Sequence, residues 1–291
     1  MKMKNKVVAV VGATASGKTA FSIDLAKKLD GEIISADSRL VYKGFDIGTA
    51  KPTLEEREGI PHYLIDVVEP EVDYSVGLWA KEAEKYIEDI LSRGKTPIVV
   101  GGTGLYFRVL LEDYDLPKVE PNYELREELK SLDFSQLYER LLVNDSETAN
   151  SITKNDKKKI IRAIEVVETL NMPMSKARGV KDFSSFDVQW IGCNFQRDIL
   201  YERINKRVDV MIEMGLIDEV KTLLNKHGRI PNLIDTIGYK EIVNYLDGKM
   251  SFTEASDLLK QNTRNYAKRQ LTWFRKNNKI NWNVYPETLK K

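Results

Sequence analysis

The chain opens on an apolar run, Val7 to Val11, that no polar residue interrupts. An unbroken β-branched run of this kind suits a parallel strand buried on both faces. A loop rich in Gly, Ala, Ser and Thr follows, and apolar positions then return at helical spacing. The alternation recurs: "GEIISADS" predicts a second strand ending at Asp37, and "YSVGLWAKEAEKYIEDILSRGK" predicts an amphipathic helix with Gly94 near its C-terminus. "TPIVVGGTGLYF" predicts a third strand ending at Gly101-Gly102-Thr103. Strands alternating with helices predict an α/β fold with a parallel sheet, whose ligands gather at the carboxyl ends of the strands. The first loop, Asp37 and Thr103 are therefore expected to share one cleft.

After Leu111 the pattern changes. From "EDYDLPKVEPNYELREELKSL" to "SSFD" it is helical and strongly charged, without β-branched runs. This predicts a helical insertion over 113–186, set into a core made of 1–112 and 187–291. "DVQWIGCNF" returns to strand character, and the chain finishes with helices, one opened by the capping box Ser251-Phe252-Thr253-Glu254. In "TKNDKKKIIRAIEVVETL", helical geometry puts Lys158, Lys159 and Arg162 on one side and turns Ile160, Ile164 and Val167 inward. In "NTRNYAKRQLTWFRK", Arg264, Lys268 and Arg275 fall within about 40° of one another, with Tyr266, Trp273 and Phe274 interleaved.

Composition decides how those basic stripes are read. The 291 residues carry 45 basic and 44 acidic side chains for a net charge of +1, so the chain has no global polyelectrolyte character. Either stripe alone is an ordinary solvated helix face, and the aromatics alone are core. Two stripes in a nearly neutral chain are better explained by contacts with a phosphate backbone. The single cysteine, Cys193, excludes an internal disulfide, and with only His62 and His227 beside it there is no zinc-ligand set. Cys193 reads as a small core residue. The N-terminal apolar run is too short for a signal peptide and no run reaches membrane-spanning length, so a cytoplasmic protein without membrane contact is expected.

The loop after the first strand is Gly12-Ala13-Thr14-Ala15-Ser16-Gly17-Lys18-Thr19, which fits G-x-x-x-x-G-K-[ST] in its required strand–loop–helix setting. Glycines let consecutive N–H groups curl around an anion, and the following helix aims its positive end at the same point. Lys18 adds a charge on the phosphate oxygens, and the Thr19 hydroxyl is placed to ligate Mg²⁺. A diphosphate or triphosphate is expected here. An ATPase of this fold would also carry a strand ending in an acid that supports the magnesium. Here "PIVV" ends in Gly-Gly-Thr, and the acid at a strand end is Asp37. Asp37 is either a turn residue or a general base for a nucleophile that must lose a proton.

"GATASGKT", "ADSRLVY", "DIGTAKP", "PHYLID", "VGGTGLYF", "NDKKKIIRAIE", "TIGYKE" and "AKRQLTWFR" occur in this order from Val7 to about Arg275. In this series the chain resembles the bacterial tRNA dimethylallyltransferases, also called tRNA isopentenyltransferases. The resemblance implies a P-loop NTPase-like fold and transfer of a dimethylallyl group from its diphosphate to N6 of the adenosine immediately 3′ of the anticodon. It implies Asp37 as general base and Thr103 as a second catalytic residue. The diphosphate would lie on Gly12, Ala13, Thr14, Ala15, Ser16, Gly17, Lys18 and Thr19, with Arg207 as a further contact and Arg203 its alternative. Contacts to tRNA are implied for Asp37, Ser38, Arg39, Leu40 and Thr103, for Lys158, Lys159, Ile160, Ile161 and Arg162, for Thr236, Ile237, Gly238, Tyr239 and Lys240, and for Lys268, Arg269 and Arg275. Mg²⁺ on Thr19, tRNA and dimethylallyl diphosphate as partners, and a monomeric state complete the expectation. The target base would have to leave its stack to enter the cleft.

Three residues depart from the pattern of this family. Ala13 replaces a proline, Tyr63 replaces a second histidine, and Lys159 replaces an arginine, whose planar fork an ammonium lacks. Two other enzyme classes share parts of the sequence. A P-loop small-molecule kinase would use the loop for ATP but needs the missing acid. An adenine-nucleotide prenyltransferase could share Asp37 and Thr103 but would have no need of the helical insertion.

Overall fold

The computed structural model describes residues 5–112, 114–153, 156–177, 179 and 186–284. Residue 113, where the insertion is expected to begin, residues 154–155 of the basic segment and residues 184–185 lie outside them. The chain forms two compact units, one of residues 1–111 and 185–291, the other of residues 112–184.

The first unit contains β1 (Asn5–Gly12), α1 (Lys18–Leu29), β2 (Gly31–Ala36), β3 (His62–Tyr63), α2 (Val76–Ser92), β4 (Thr96–Gly101) and α3 (Gly104–Leu111). The second holds α4 (Tyr123–Ser131), α5 (Phe134–Asn144), α6 (Ser146–Ser151), α7 (Lys157–Leu170) and α8 (Met174–Ala177). The chain then returns to the first unit with β5 (Phe186–Cys193), α9 (Arg197–Glu213), α10 (Leu216–His227), α11 (Pro231–Ile234), α12 (Tyr239–Leu246), α13 (Phe252–Phe274) and β6 (Asn281–Val284).

The six strands form one parallel sheet in the order β3-β2-β4-β1-β5-β6. β1 lies inside it, with Val10 opposite Val100 of β4 and Ile191 of β5. Side chains alternate across a strand. Val7, Ala9 and Val11 enter one core cluster with Ile34 and Val99, while Val8 and Val10 enter another with Ile33 and Ile98. Burial of both faces is what removes polar residues from these runs. The edge strands β3 and β6 escape the sequence pattern because one is two residues long and the other, "NWNV", is half polar.

The helical unit has its own small core, in which Leu129, Leu137, Leu141, Ile160 and Ile164 meet. A carboxylate lies in it. Glu165 is fully buried and accepts from the Asn122 backbone N–H at 2.7 Å, from Arg126 at 2.8 and 2.9 Å, and from Arg162 at 2.5 Å. Burial alone would push its pKa up, but the two guanidiniums and the N–H outweigh that and hold it below the ordinary value.

Candidate active site

Because β2, β4 and β1 are neighbours, the residues just past their carboxyl ends are Asp37, Gly102-Thr103 and the phosphate loop. The loop turns sharply through two left-handed residues, Ala15 at φ 61° and Gly17 at φ 77°. Gly17 caps α1 without a side-chain hydrogen bond, and the first turn holds no acid, so its N–H groups and dipole are left for an anion. Lys18 Nζ donates to the Ala13 carbonyl at 2.6 Å. Burial pushes this ammonium down to about 8; the nearby Arg207 charge acts in the same direction, while Cys193 and Asp37 oppose it. Ser16 Oγ is buried with no partner among the described residues. A phosphate oxygen would satisfy it.

Two arginines of α9 reach the same loop. Arg203 Nε donates to the Ala15 carbonyl at 3.0 Å, and Arg207 lies 3.5 Å from the Thr14 hydroxyl. Burial, and then Arg203, lower the Arg207 pKa. Both line the cavity.

At the other end of the cleft, Asp37 Oδ1 accepts the Arg39 N–H at 2.8 Å, leaving Oδ2 for a proton. Asp37 is thus a turn residue and still has an oxygen for base chemistry. The Ser38 N–H donates to Thr103 Oγ1 at 3.2 Å, and the Thr103 N–H to the Ala36 carbonyl at 3.2 Å. Burial, followed by the Asp37 charge, raises the pKa of Tyr266 on α13. One turn later Gln270, only 5% exposed, joins the phosphate loop to Gly102.

A cavity of about 700 Å³ joins these parts. Its lining includes Thr14 to Thr19, Asp37 to Leu40, Thr236, Ile237 and Arg269. Gly12 and Ala13, at the start of the loop, are buried. Thr103 is outside the lining and attaches through Ser38. Tyr266 and Gln270 were not expected in the site. Their signal was weak: a glutamine in a mostly apolar inward face, four residues beyond a tyrosine.

The remaining expected positions fall into two kinds. Tyr239 is buried, and its hydroxyl donates to Glu219 Oε1 at 2.7 Å; Glu219 also accepts the Ile47 and Gly48 N–H groups. The tyrosine therefore fixes the "DIGTAKP" wall. Gly238 N–H donates to Glu241 at 2.8 Å. Ile160 and Ile161 are buried in the helical core, and Arg162 donates to Glu165 and to the Val119 carbonyl. Lys240, Lys268 and Arg275 are exposed, as are Lys158 and Lys159, the latter 2.6 Å from Asp156. Arg264, by contrast, donates to Asn205 at 2.6 Å. Tyr63 donates to Glu32 at 2.8 Å, which gives this departure a structural part. Cys193 is fully buried and its thiol is pushed up to about 11 by burial, so it is a core residue.

Among the described residues no three His, Cys, Asp or Glu gather as a metal site. The exposed Thr19 hydroxyl at the cavity fits an ion that takes most of its ligands from phosphates and water, as Mg²⁺ does.

Residues 40–277 match the family model described as IPP transferase. The chain belongs to the IPP transferase family. It is 47% identical over 286 residues to a tRNA dimethylallyltransferase of Carboxydothermus hydrogenoformans, covering 96% of this chain and 92% of the relative. The full-length tRNA isopentenylpyrophosphate transferase of Bacillus halodurans shares 43% identity and superposes with a TM-score of 0.72 over 96% of this chain and 89% of the other. A eukaryotic dimethylallyltransferase acting on tRNA shares 32% identity with a TM-score of 0.76 over 93% and 70% of the two chains. The IPP transferase match begins after Asp37, and the full-length relatives extend the likeness over the phosphate loop.

Proposed function

We propose that this chain transfers a dimethylallyl group from dimethylallyl diphosphate to N6 of the adenosine immediately 3′ of the anticodon in tRNA, as a cytoplasmic monomer. The observation that carries the reading is one cavity lined by both a phosphate loop and Asp37, with no acid at the end of β4 to serve an ATP-bound magnesium. The diphosphate is then a leaving group. Its allylic C–O bond breaks and the electron pair departs with the diphosphate. The adenine nitrogen forms the new C–N bond and gives its proton to Asp37. Lys18, Arg203, Arg207 and the loop N–H groups stabilise the charge that develops on the departing oxygens. Mg²⁺ held by the Thr19 hydroxyl and the diphosphate would add charge neutralisation. Thr103, tied to Ser38, orients the reacting groups beside Asp37. Lys158, Lys159, Lys240, Lys268 and Arg275 would meet the tRNA backbone.

Ligand-induced melting shifts and acceptor comparison test the reading together. Dimethylallyl diphosphate should raise the melting temperature more than ATP does, and tRNA should accept the prenyl group where free AMP does not. A larger shift with ATP would favour a kinase. Efficient transfer to AMP would favour a nucleotide prenyltransferase.

A further inference from the structure

The Gln270 carboxamide joins the two halves of the cleft. Its Oε1 accepts the Thr14 N–H of the phosphate loop at 2.8 Å, and its Nε2 donates to the Gly102 carbonyl, past the end of β4, at 3.0 Å. The amide can be oriented in only one way, because a flip would set N–H against N–H and carbonyl against carbonyl. Gly102 admits this approach: a Cβ there would stand 2.1 Å from Nε2. From Gly102 the chain passes to Thr103, which accepts the Ser38 N–H beside Asp37. Tyr266, one turn earlier on the same face of α13, lines the same cavity.

Neither bond of Gln270 belongs to the sheet ladder, since Thr14 and Gly102 both lie beyond the strands. The carboxamide also uses one loop donor, Thr14 N–H, which removes that group from the set available to a phosphate. We infer that Gln270 is a positioning residue that sets the distance between the phosphate loop and the Thr103–Asp37 pair, and so between leaving group and nucleophile. The inference rests on the site reading proposed above. Its physical basis is the steep dependence of transfer on the separation of reacting atoms, where a 1 Å error costs about 10²-fold.

The test compares Gln270→Met, which keeps the bulk and loses both bonds, with the parent protein in single-turnover transfer at saturating dimethylallyl diphosphate and tRNA. Transfer by the parent tests the site reading by itself, before any variant is compared. The expected result is a rate about tenfold or more below the parent, with diphosphate and tRNA dissociation constants changed less than about threefold. In a double-mutant cycle with Thr103→Ala, the second substitution should add little to the first. If Gln270→Met does not fold, Gln270→Leu serves the same test, since it also loses both bonds and adds no charge beside the phosphate loop. A saturated rate within about threefold of the parent would overturn the inference, as would effects that multiply fully with Thr103→Ala.

Discussion

In the sheet unit, Lys18, Arg203 and Arg207 are turned toward a cavity, and burial depresses the pKa values of Lys18 and Arg207. In the helical unit, Lys158 and Lys159 stand exposed on α7, while Arg162 is committed to the buried Glu165. The two sets of cations carry similar formal charge in different surroundings. Withdrawing a cation from water costs free energy that a bound anion offsets, so the first set is suited to short, charge-assisted contacts with a diphosphate. An exposed ammonium costs little to hold, and its attraction for a phosphate backbone is screened by salt. Arg162 belongs to neither set, because it holds the helical unit together.

The contrast breaks most sharply at Asp37. Asp37→Ala should slow single-turnover transfer by about 10²-fold while leaving tRNA affinity nearly unchanged, because the proposed role of the residue lies in the chemical step and not in backbone contacts. A rate within a few fold of the parent would reduce it to its turn role with Arg39.

Glu165→Ala should cost about 2–3 kcal/mol of unfolding free energy, below the 3–5 typical of a wholly buried pair because Arg126 and Arg162 reach water. Denaturant melts with a probe in residues 112–184 would measure it. Its pH dependence has a fixed sign. The folded carboxyl titrates below its unfolded value, so its contribution is complete above about pH 4.5 and is lost as pH falls through the lowered pKa. The Glu165→Ala variant should lack that acid loss.

Lys18 gives a slope of opposite direction. In the free protein its ammonium discharges as pH rises through about 8. The dissociation constant for dimethylallyl diphosphate should then increase above pH 8, approaching about tenfold per pH unit, until the higher pKa of the complex is reached. Lys18→Ala should bind more weakly and remove the slope. Titration calorimetry from pH 7 to 10 checks both, and a wild-type curve flat across that range would contradict the assignment.

The smallest effect belongs to the exposed cations. Replacing Lys158, Lys159, Lys268 and Arg275 with glutamine, and sparing the structural Arg162, should flatten the slope of log tRNA affinity against log salt by about 0.7 to 0.9 per lost contact. Diphosphate binding should be unaffected. An unchanged slope would leave these residues as solvated helix faces.

The central strands and the phosphate loop were legible because burial on both faces and anion curvature each leave a local signature, an unbroken apolar run and a glycine spacing. Asp37 was legible as a strand-end acid. The approach of α13 was not: periodicity puts Tyr266 and Gln270 on one helix face but does not say that Thr103 and the phosphate loop lie opposite. The pairing of Arg162 with Glu165, three residues on, was within reach of helical spacing. The partners Arg126 and Asn122, about forty positions earlier, meet Glu165 only through the tertiary fold.

The most direct measurement of the central claim is mass analysis of nucleosides from tRNA incubated with dimethylallyl diphosphate and either the parent protein or Asp37→Ala. The parent should yield an adenosine heavier by one dimethylallyl group, from the position 3′ of the anticodon, and free diphosphate in equal amount. Asp37→Ala should yield little of either in the same time. Unmodified tRNA from the parent reaction, or equal product from the two proteins, would contradict the account.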